Sequence, residues 1–366
     1  MESLRVAVVG VGHLGKEHAR ILKSIPDVEL VAVGDASNEQ AQAIAKKHDC
    51  LAFTNHRPLL QLADAVVVAV PTSYHHYVAS EFLRSGIHLL VEKPLAATLE
   101  EADDLVGLSQ ANDVVLQVGH IERFNPAWEK LEAMNFQPKY IECERLGAFT
   151  GRSADVGVVL DLMIHDLDLV CALVRSPLLS FDALGMSVFG EPEDIATAHL
   201  RFADGCVASI KASRVNSTPK RTMRIWSPEG FLDVDFAKKS LTMTQPSESV
   251  RQHGLDLRRL DPASRAAFKD QLFGRHLEVM EVAATDGPDG LTCELREFVR
   301  CVRTNSQPRV RGEEGRDALR LATQILASIR SHAWQCSEAG PCGPNHLPYP
   351  VGNLFTPPAA TRTAAA

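Results

Sequence analysis

The sequence predicts two folded units in tandem, a parallel α/β unit followed by an α+β unit built on an antiparallel sheet. Three observations carry this expectation. The first third of the chain alternates short, continuously apolar runs with helix-like segments, as strands buried on both faces require. Beyond about Gly119, apolar runs follow one another through tight polar turns such as Ala203-Asp204-Gly205, the texture of antiparallel neighbours. A length of 366 residues exceeds one typical domain and allows a large core without disulfide or metal staples.

In chain order, Leu4–Val9 reads as a strand, Gly15–Ser24 as a helix, Val28–Gly34 as a strand and Glu39–His48 as a helix. Ala65–Val70 is a strand rich in β-branched residues. A helix at Tyr77–Arg84, a strand at His88–Val91, a helix at Leu99–Gln110 and a strand at Val114–Val118 complete the first unit. Tyr140–Arg145, Ala196–Phe202, Cys206–Ser213, Arg221–Trp226 and Phe231–Asp235 are strands of the second unit, with one helical segment between Thr150 and Val174. Ser247–Gly290 reads as helix and loop. Cys293–Arg303 and Asp317–His332 are closing helices expected to return to the first unit. From Cys336 onward Pro, Gly and Ala dominate, so the expected division is 1–120, 121–335 and a disordered tail at 336–366.

Composition narrows the function. A net charge of -8 argues against nucleic acid as a partner, which would call for a basic face. The chain enters its first strand at Leu4 without a cationic and long apolar leader, and no apolar run reaches membrane-spanning length. Neither a secretory nor a membrane role is therefore expected. The eight cysteines are scattered without metal-type spacing, which suits free thiols in a reducing cytoplasm and no resident metal. Cys336 and Cys342 are close enough in sequence to bridge under oxidation.

Gly10-Val11-Gly12-His13-Leu14-Gly15 is the first chemical motif. It follows a strand and opens a helix, the context in which such a turn binds a dinucleotide. Gly10 permits the tight turn, Gly12 lets the backbone approach a pyrophosphate, and Gly15 allows close helix–sheet packing. The helix start offers free N–H groups to the phosphates. Asp35 ends the second strand about twenty residues later, where a carboxylate accepts from the adenine ribose hydroxyls and repels a 2′-phosphate. With no Arg or Lys between Asp35 and Lys46, NAD is expected over NADP. Pro71, Thr72 and His75 follow another strand at the same carboxyl edge and are further candidate contacts; for His75 a capping or surface role fits the spacing equally well.

Glu92-Lys93-Pro94 follows a buried strand, so Lys93 is delivered to the ligand crevice, and Pro94 fixes its exit and can be cis. Asp161 and His165 are four residues apart, which on a helix puts them on one face amid apolar neighbours. Such a carboxylate would orient the imidazole and raise its basicity, suiting the pair to proton transfer.

The Gly10–Gly15 turn, Glu92-Lys93-Pro94, Asp161 with His165, and an Arg311–Arg316 loop before a closing helix occur here in one order. From Leu4 to about Arg330 this chain resembles the Gfo/Idh/MocA oxidoreductase family. The resemblance implies an α/β Rossmann domain with a parallel sheet plus an α+β domain with a large, mostly antiparallel sheet, often used in forming a homodimer or homotetramer. It also implies that Lys93, Asp161 and His165 act on a secondary alcohol of a sugar, with NAD bound by the turn, Asp35, Pro71, Thr72, His75, Glu92 and Lys93. Either Lys93 or His165 could be the base.

Gly119-His120-Ile121-Glu122-Arg123-Phe124-Asn125-Pro126 is similar to family members that oxidise the 3-hydroxyl of UDP-N-acetylglucosamine. Arg123 and Asn125 then become candidate substrate contacts beside His165; a linker with a helix start at Pro126 is the plainer reading. Arg145, Arg152 and Arg214 are further arginines able to hold a diphosphate. A myo-inositol or free-sugar 2-dehydrogenase uses the same catalytic groups on an uncharged substrate. A catalytically idle NAD-binding regulatory subunit would be expected to lack Lys93 or His165, and both are present.

Overall fold

A computed structural model describes residues 2–134, 136–151, 156–189, 192–282, 287–334 and 340–341. The expected tail, with Cys336 and Cys342, lies outside these residues apart from Gly340 and Pro341, as does Arg152.

Six short strands, β1 (Leu4–Val9), β2 (Val28–Gly34), β3 (Leu51–Phe53), β4 (Ala65–Val68), β5 (His88–Glu92) and β6 (Leu116–Gly119), form the first sheet. All its pairings are parallel, in the order β3-β2-β1-β4-β5-β6. The crossover helices are α1 (Gly15–Leu22), α2 (Asn38–His48), α3 (His75–Arg84) and α4 (Leu99–Ala111). Ser37 caps α2 and a Thr98–Glu101 capping box starts α4, each satisfying amides that the first helical turn leaves without partners. Right-handed crossovers place α1 and α2 on one face, α3 and α4 on the other. The α1 side of β5 and β6 would then be bare. Helix α9 (Gly290–Thr304) covers it, with Leu295, Phe298 and Val299 in one core with Val6, Val8 and Leu90.

The second sheet has eight strands in the order β14-β13-β12-β11-β7-β10-β9-β8. They are β7 (Tyr140–Ala148), β8 (Leu178–Met186), β9 (Ile195–Phe202), β10 (Val207–Ser213), β11 (Val215–Ser227), β12 (Gly230–Asp235), β13 (Ser240–Pro246) and β14 (Leu277–Val282). Every pairing is antiparallel except β7 with β10. Alternate residues such as Ile141, Cys143, Met223 and Ile225 share a core with Trp128 of α5 (Pro126–Ala133), Leu167 and Val170 of α6 (Ile164–Val174), and Ile325 of α10 (Gly312–Ser331).

Four strands were absent from the sequence reading. β3 has three residues, and β8 and β14 are edge strands. None of the β14 residues is buried, so no alternation marks it. It also corrects the expectation of helix and loop alone for 247–290, although α7 (Glu248–His253) and α8 (Pro262–Gln271) do form there. In β8 only Ala183 and Gly185 are buried, because Ile329 of α10 packs where a Gly185 Cβ would sit.

The expected Arg311–Arg316 loop is instead the start of α10. Val310 accepts from the Val118 amide at 3.0 Å, which ties this helix start to the edge strand β6. A Cβ on Gly315 would lie 2.5–2.9 Å from three Val118 side-chain atoms, whereas one on Gly312 would meet the tip of Leu116 at 2.7 Å. The Leu116 tip can rotate away and the β-branched Val118 cannot. Gly315→Ala is therefore expected to cost about 1–3 kcal/mol of stability and Gly312→Ala distinctly less; equal melting temperatures for the two variants would contradict this packing.

Candidate active site

The strand order reverses between β1 and β4, and there, at the carboxyl edge, a crevice of about 710 Å³ opens. Gly10 has φ 85°, and a Cβ there would stand 2.5 Å from the Ala69 carbonyl oxygen. A Gly15 Cβ would stand 1.7 Å from the Gly10 oxygen. Gly12 has nothing within 4 Å of its Cβ position, leaving backbone open to the crevice. His13 and Leu14 are exposed on the turn. Asp35 accepts from Val11 N and Ser37 N, both at 2.8 Å, which fixes its carboxylate on the crevice wall. Each oxygen keeps a lone pair for a hydroxyl.

Thr54, Asn55, His56, Pro71, Tyr74 and Tyr77 line the rest of the crevice. Thr54, Asn55 and His56 escaped the sequence reading because they follow the three-residue strand β3. Nearby Arg57 is ion-paired with Glu81. The open backbone at Gly12, the start of α1 and the Asp35 carboxylate fit NAD.

Lys93 leaves β5 at the same edge through a cis Lys93–Pro94 bond. Its ammonium donates to the Asp161 main-chain oxygen at 2.7 Å and to Asp161 Oδ1 at 3.2 Å. Glu92, expected to touch the cofactor, is turned inward: its Oε1 lies 2.7 Å from His18 Nε2 and its Oε2 accepts from the Lys93 amide. The His18 bond and the charges of His18 and Lys93 outweigh burial and hold the Glu92 carboxyl below its usual range. Glu294 of α9 is fully buried nearby, and neither of its oxygens has a partner among the described residues. Burial, then the Glu92 charge, raise its pKa well above normal. One carboxylate of this pair is ionised and the other carries the proton.

His75 is also a correction. Its ring is buried, with Nδ1 2.9 Å from Pro94 O and Nε2 2.9 Å from Val70 O. Burial lowers the His75 pKa, so the neutral ring donates its one N–H to one of these two carbonyls and, enclosed between them, leaves no edge for a cofactor. Its position one residue past a turn of exposed side chains disguised this in the sequence.

Asp161 sits in a wide π-helical turn, Val159–Met163, that leads into α6, while His165 lies in α6 itself. Such turns gather at functional sites because they re-aim side chains. The expected Asp161–His165 partnership does not form; Asp161 pairs with Lys93 instead. No carboxylate forms an ion pair with His165 among the described residues. Burial, then Lys93 and Arg145, push its pKa well below 6.5, with smaller contributions from His120 and Arg221. The ring is therefore neutral, and of its two nitrogens only Nδ1 is buried without a partner.

The ring of His120 stands edge-on to His165, centroids 6.2 Å apart. His120 was quoted in the sequence motif without a role, since a single histidine after a strand carries no signal of its own.

Arg123 and Asn125 do not reach the cleft. Arg123 is buried and forks onto Asp168, with Nε to Oδ2 at 2.8 Å. Asn125 caps α5 through Ala127 N and donates to Glu122 and to Phe236 O. Arg145 is buried between Asp166 and Glu122, and Arg214 is paired with Asp194. These arginines neutralise buried carboxylates. Arg221 differs. It pairs across from Arg145 in the sheet, so the two side chains share the face toward α6. Arg221 is exposed, and its guanidinium makes no hydrogen bond or ion pair among the described residues. The sequence reading placed it in a strand but gave it no role.

A dinucleotide crevice with lysine, carboxylate and imidazole gathered at its mouth defines a pyridine-nucleotide oxidoreductase. The family model described as oxidoreductase family, NAD-binding Rossmann fold, matches residues 4–120, and that of the GFO/IDH/MocA C-terminal domain matches 131–233. The chain is 34% identical over 332 residues to the UDP-N-acetylglucosamine 3-dehydrogenase of Acidithiobacillus ferrooxidans, covering 90% of this chain and 99% of that one. A solved structure of that enzyme superposes with a TM-score of 0.79 at 33% identity, covering 90% and 98% of the two chains. Myo-inositol 2-dehydrogenase of Thermotoga maritima is 24% identical over 89% of this chain and 96% of its own. Levoglucosan dehydrogenase in complex with NADH shares the fold, with a TM-score of 0.75 at 18% identity over 89% and 97% of the chains. The chain belongs to the Gfo/Idh/MocA family and is an NAD-binding oxidoreductase.

The buried carboxyl pair yields a stability test. The folded-state pKa of Glu294 lies well above 4.5, so the folded protein holds a proton that the unfolded chain releases. That contribution is present below pH 4.5 and is lost as pH rises toward the folded value. Glu294→Gln cannot lose the proton. The variant is expected to gain melting temperature relative to the parent as pH rises; parallel curves from acid to neutral pH would contradict a protonated Glu294.

Proposed function

We propose that this protein oxidises the 3-hydroxyl of the sugar in UDP-N-acetylglucosamine, using NAD. The observation that carries the chemistry is the Lys93–Asp161 pair at the sheet edge that bears the dinucleotide crevice, with the Lys93 charge acting on the His165 ring. Bound NAD supplies the hydride acceptor; Gly12, the start of α1 and Asp35 would hold it. Neutral His165 takes the hydroxyl proton at Nε2, the nitrogen not sealed in the core. Lys93, held by the main-chain oxygen and Oδ1 of Asp161, turns its ammonium to the oxygen as negative charge develops there. Asp161 acts by fixing that ammonium. Lys93 is the electrostatic stabiliser because its donors are already aimed and held by Asp161. The low basicity of His165 favours release of the proton after each turnover.

Two features support a phosphorylated sugar. The relative that matches nearly end to end at 34% identity acts on UDP-N-acetylglucosamine. Arg221 puts an unpaired guanidinium on the wall beside His165, suited to bidentate contact with a diphosphate. An uncharged cyclitol, as in the inositol dehydrogenase relative, has no use for it. With NAD and UDP-N-acetylglucosamine, NADH absorbance is expected to rise, and with myo-inositol to stay flat. Arg221→Ala is expected to raise KM for the nucleotide sugar about tenfold to a hundredfold, the loss of a charged hydrogen bond, with KM for NAD unchanged. Turnover of myo-inositol but not the nucleotide sugar would refute this substrate.

A further inference from the structure

We propose that His120 and Asp168 form a proton exit running from His165 through the protein to a solvent groove behind the active site. The proposal rests on His165 being the base.

Three ring nitrogens meet in the core beside the catalytic helix: Nδ1 of His165 and both nitrogens of His120. All are buried, and none has a hydrogen-bonding protein group among the described residues. Buried polar atoms are rarely left so, and a cluster of them calls for a reason. The His165 and His120 rings stand edge to face, centroids 6.2 Å apart, so transfer between them calls for a bridging water in the proposed path. Beyond His120 its Nδ1 lies 4.0 Å from Asp168 Oδ2. Asp168 is itself buried and held by the Arg123 fork, so its carboxylate cannot swing away.

The path then reaches water. Asp168 lines a groove of about 460 Å³ between α5, α6 and α10, whose rim carries Glu132, Arg175, Glu314 and Asp317. Arg175 and Asp317 on that rim are well exposed. The groove shares no lining residue with the dinucleotide crevice. A proton can therefore leave while cofactor and substrate still fill the front of the site.

The substrate O–H bond breaks and its proton bonds to His165 Nε2, while the two electrons of the C–H bond go to NAD. The Nδ1 proton of the resulting imidazolium passes to His120 Nε2. The Nδ1 proton of His120 moves to Asp168 and on to water in the groove. A neutral imidazole with Nδ1–H facing the carboxylate and a free Nε2 lone pair is the tautomer this requires.

The test uses the full-length protein, saturating NAD and single turnovers of UDP-N-acetylglucosamine followed by NADH absorbance. His120→Ala and His120→Phe are each expected to slow the turnover at least about tenfold, the scale of general acid–base assistance, with NAD and sugar affinities unchanged. Added imidazole is expected to restore the Ala variant, which leaves room for it, and not the Phe variant. Rates within twofold of the parent in both variants would overturn the exit. Should the variants fold poorly, the parent in mixtures of light and heavy water decides: a curved dependence on deuterium fraction means several protons move together, and a linear one overturns the relay. Absence of any turnover by the parent would instead fail the substrate assignment.

Discussion

The Lys93 ammonium, clasped by the main-chain oxygen and carboxylate of Asp161, is the contact on which the active site depends. It joins the turn after β5 of the first sheet to the π-helical turn that leads into α6. At partial burial such charged hydrogen bonds contribute about 1–3 kcal/mol, small beside the cores on either side. Their value lies in geometry, since they place a cation where two separately folded layers meet. Several buried groups hold that position from behind. His75 packs between the carbonyls of Val70 and Pro94, His18 fixes Glu92, and Glu92 accepts the Lys93 amide. The π-helical turn at Val159–Met163 turns Asp161 toward them.

Charge around His165 is arranged in layers. Lys93, Arg145 and Arg221 face the ring and disfavour its protonation, while the nearest buried carboxylates are already engaged. Asp166 and Glu122 are bound by Arg145, and Asp168 by Arg123. A buried ion pair adds little net stability. Here the pairs keep the imidazole neutral by keeping carboxylates away from it.

Much of the fold was legible because the strands of a doubly covered sheet are continuously apolar and the glycine turn stands in its strand-to-helix context. Lys93, Asp161, His165 and Asp35 were legible because motif spacing places them at strand and helix ends. Partners were not. That Asp161 serves Lys93 rather than His165 depends on a π-turn that a four-residue spacing does not reveal. Arg123 and Asn125 stood in a suggestive motif, yet Asp168 and the start of α5 claim them, and both partners are distant in sequence or purely local to a cap. Arg221 and Arg145 look alike as residues; only the exposure of one and the burial of the other across a strand pair separates them. The edge strands β8 and β14 lacked alternation because one or both of their faces pack against little.

The central claim is that neutral His165, flanked by Lys93, Arg145, His120 and Arg221, is the base. The pH dependence of kcat/KM for the nucleotide sugar tests it directly. Protonated His165 cannot accept the alcohol proton, and its pKa is depressed, so the rate is expected to fall only as pH drops well below 6.5, and His165→Asn is expected to abolish that limb. An acid limb at or above pH 6.5, or one that survives in His165→Asn, would contradict the account.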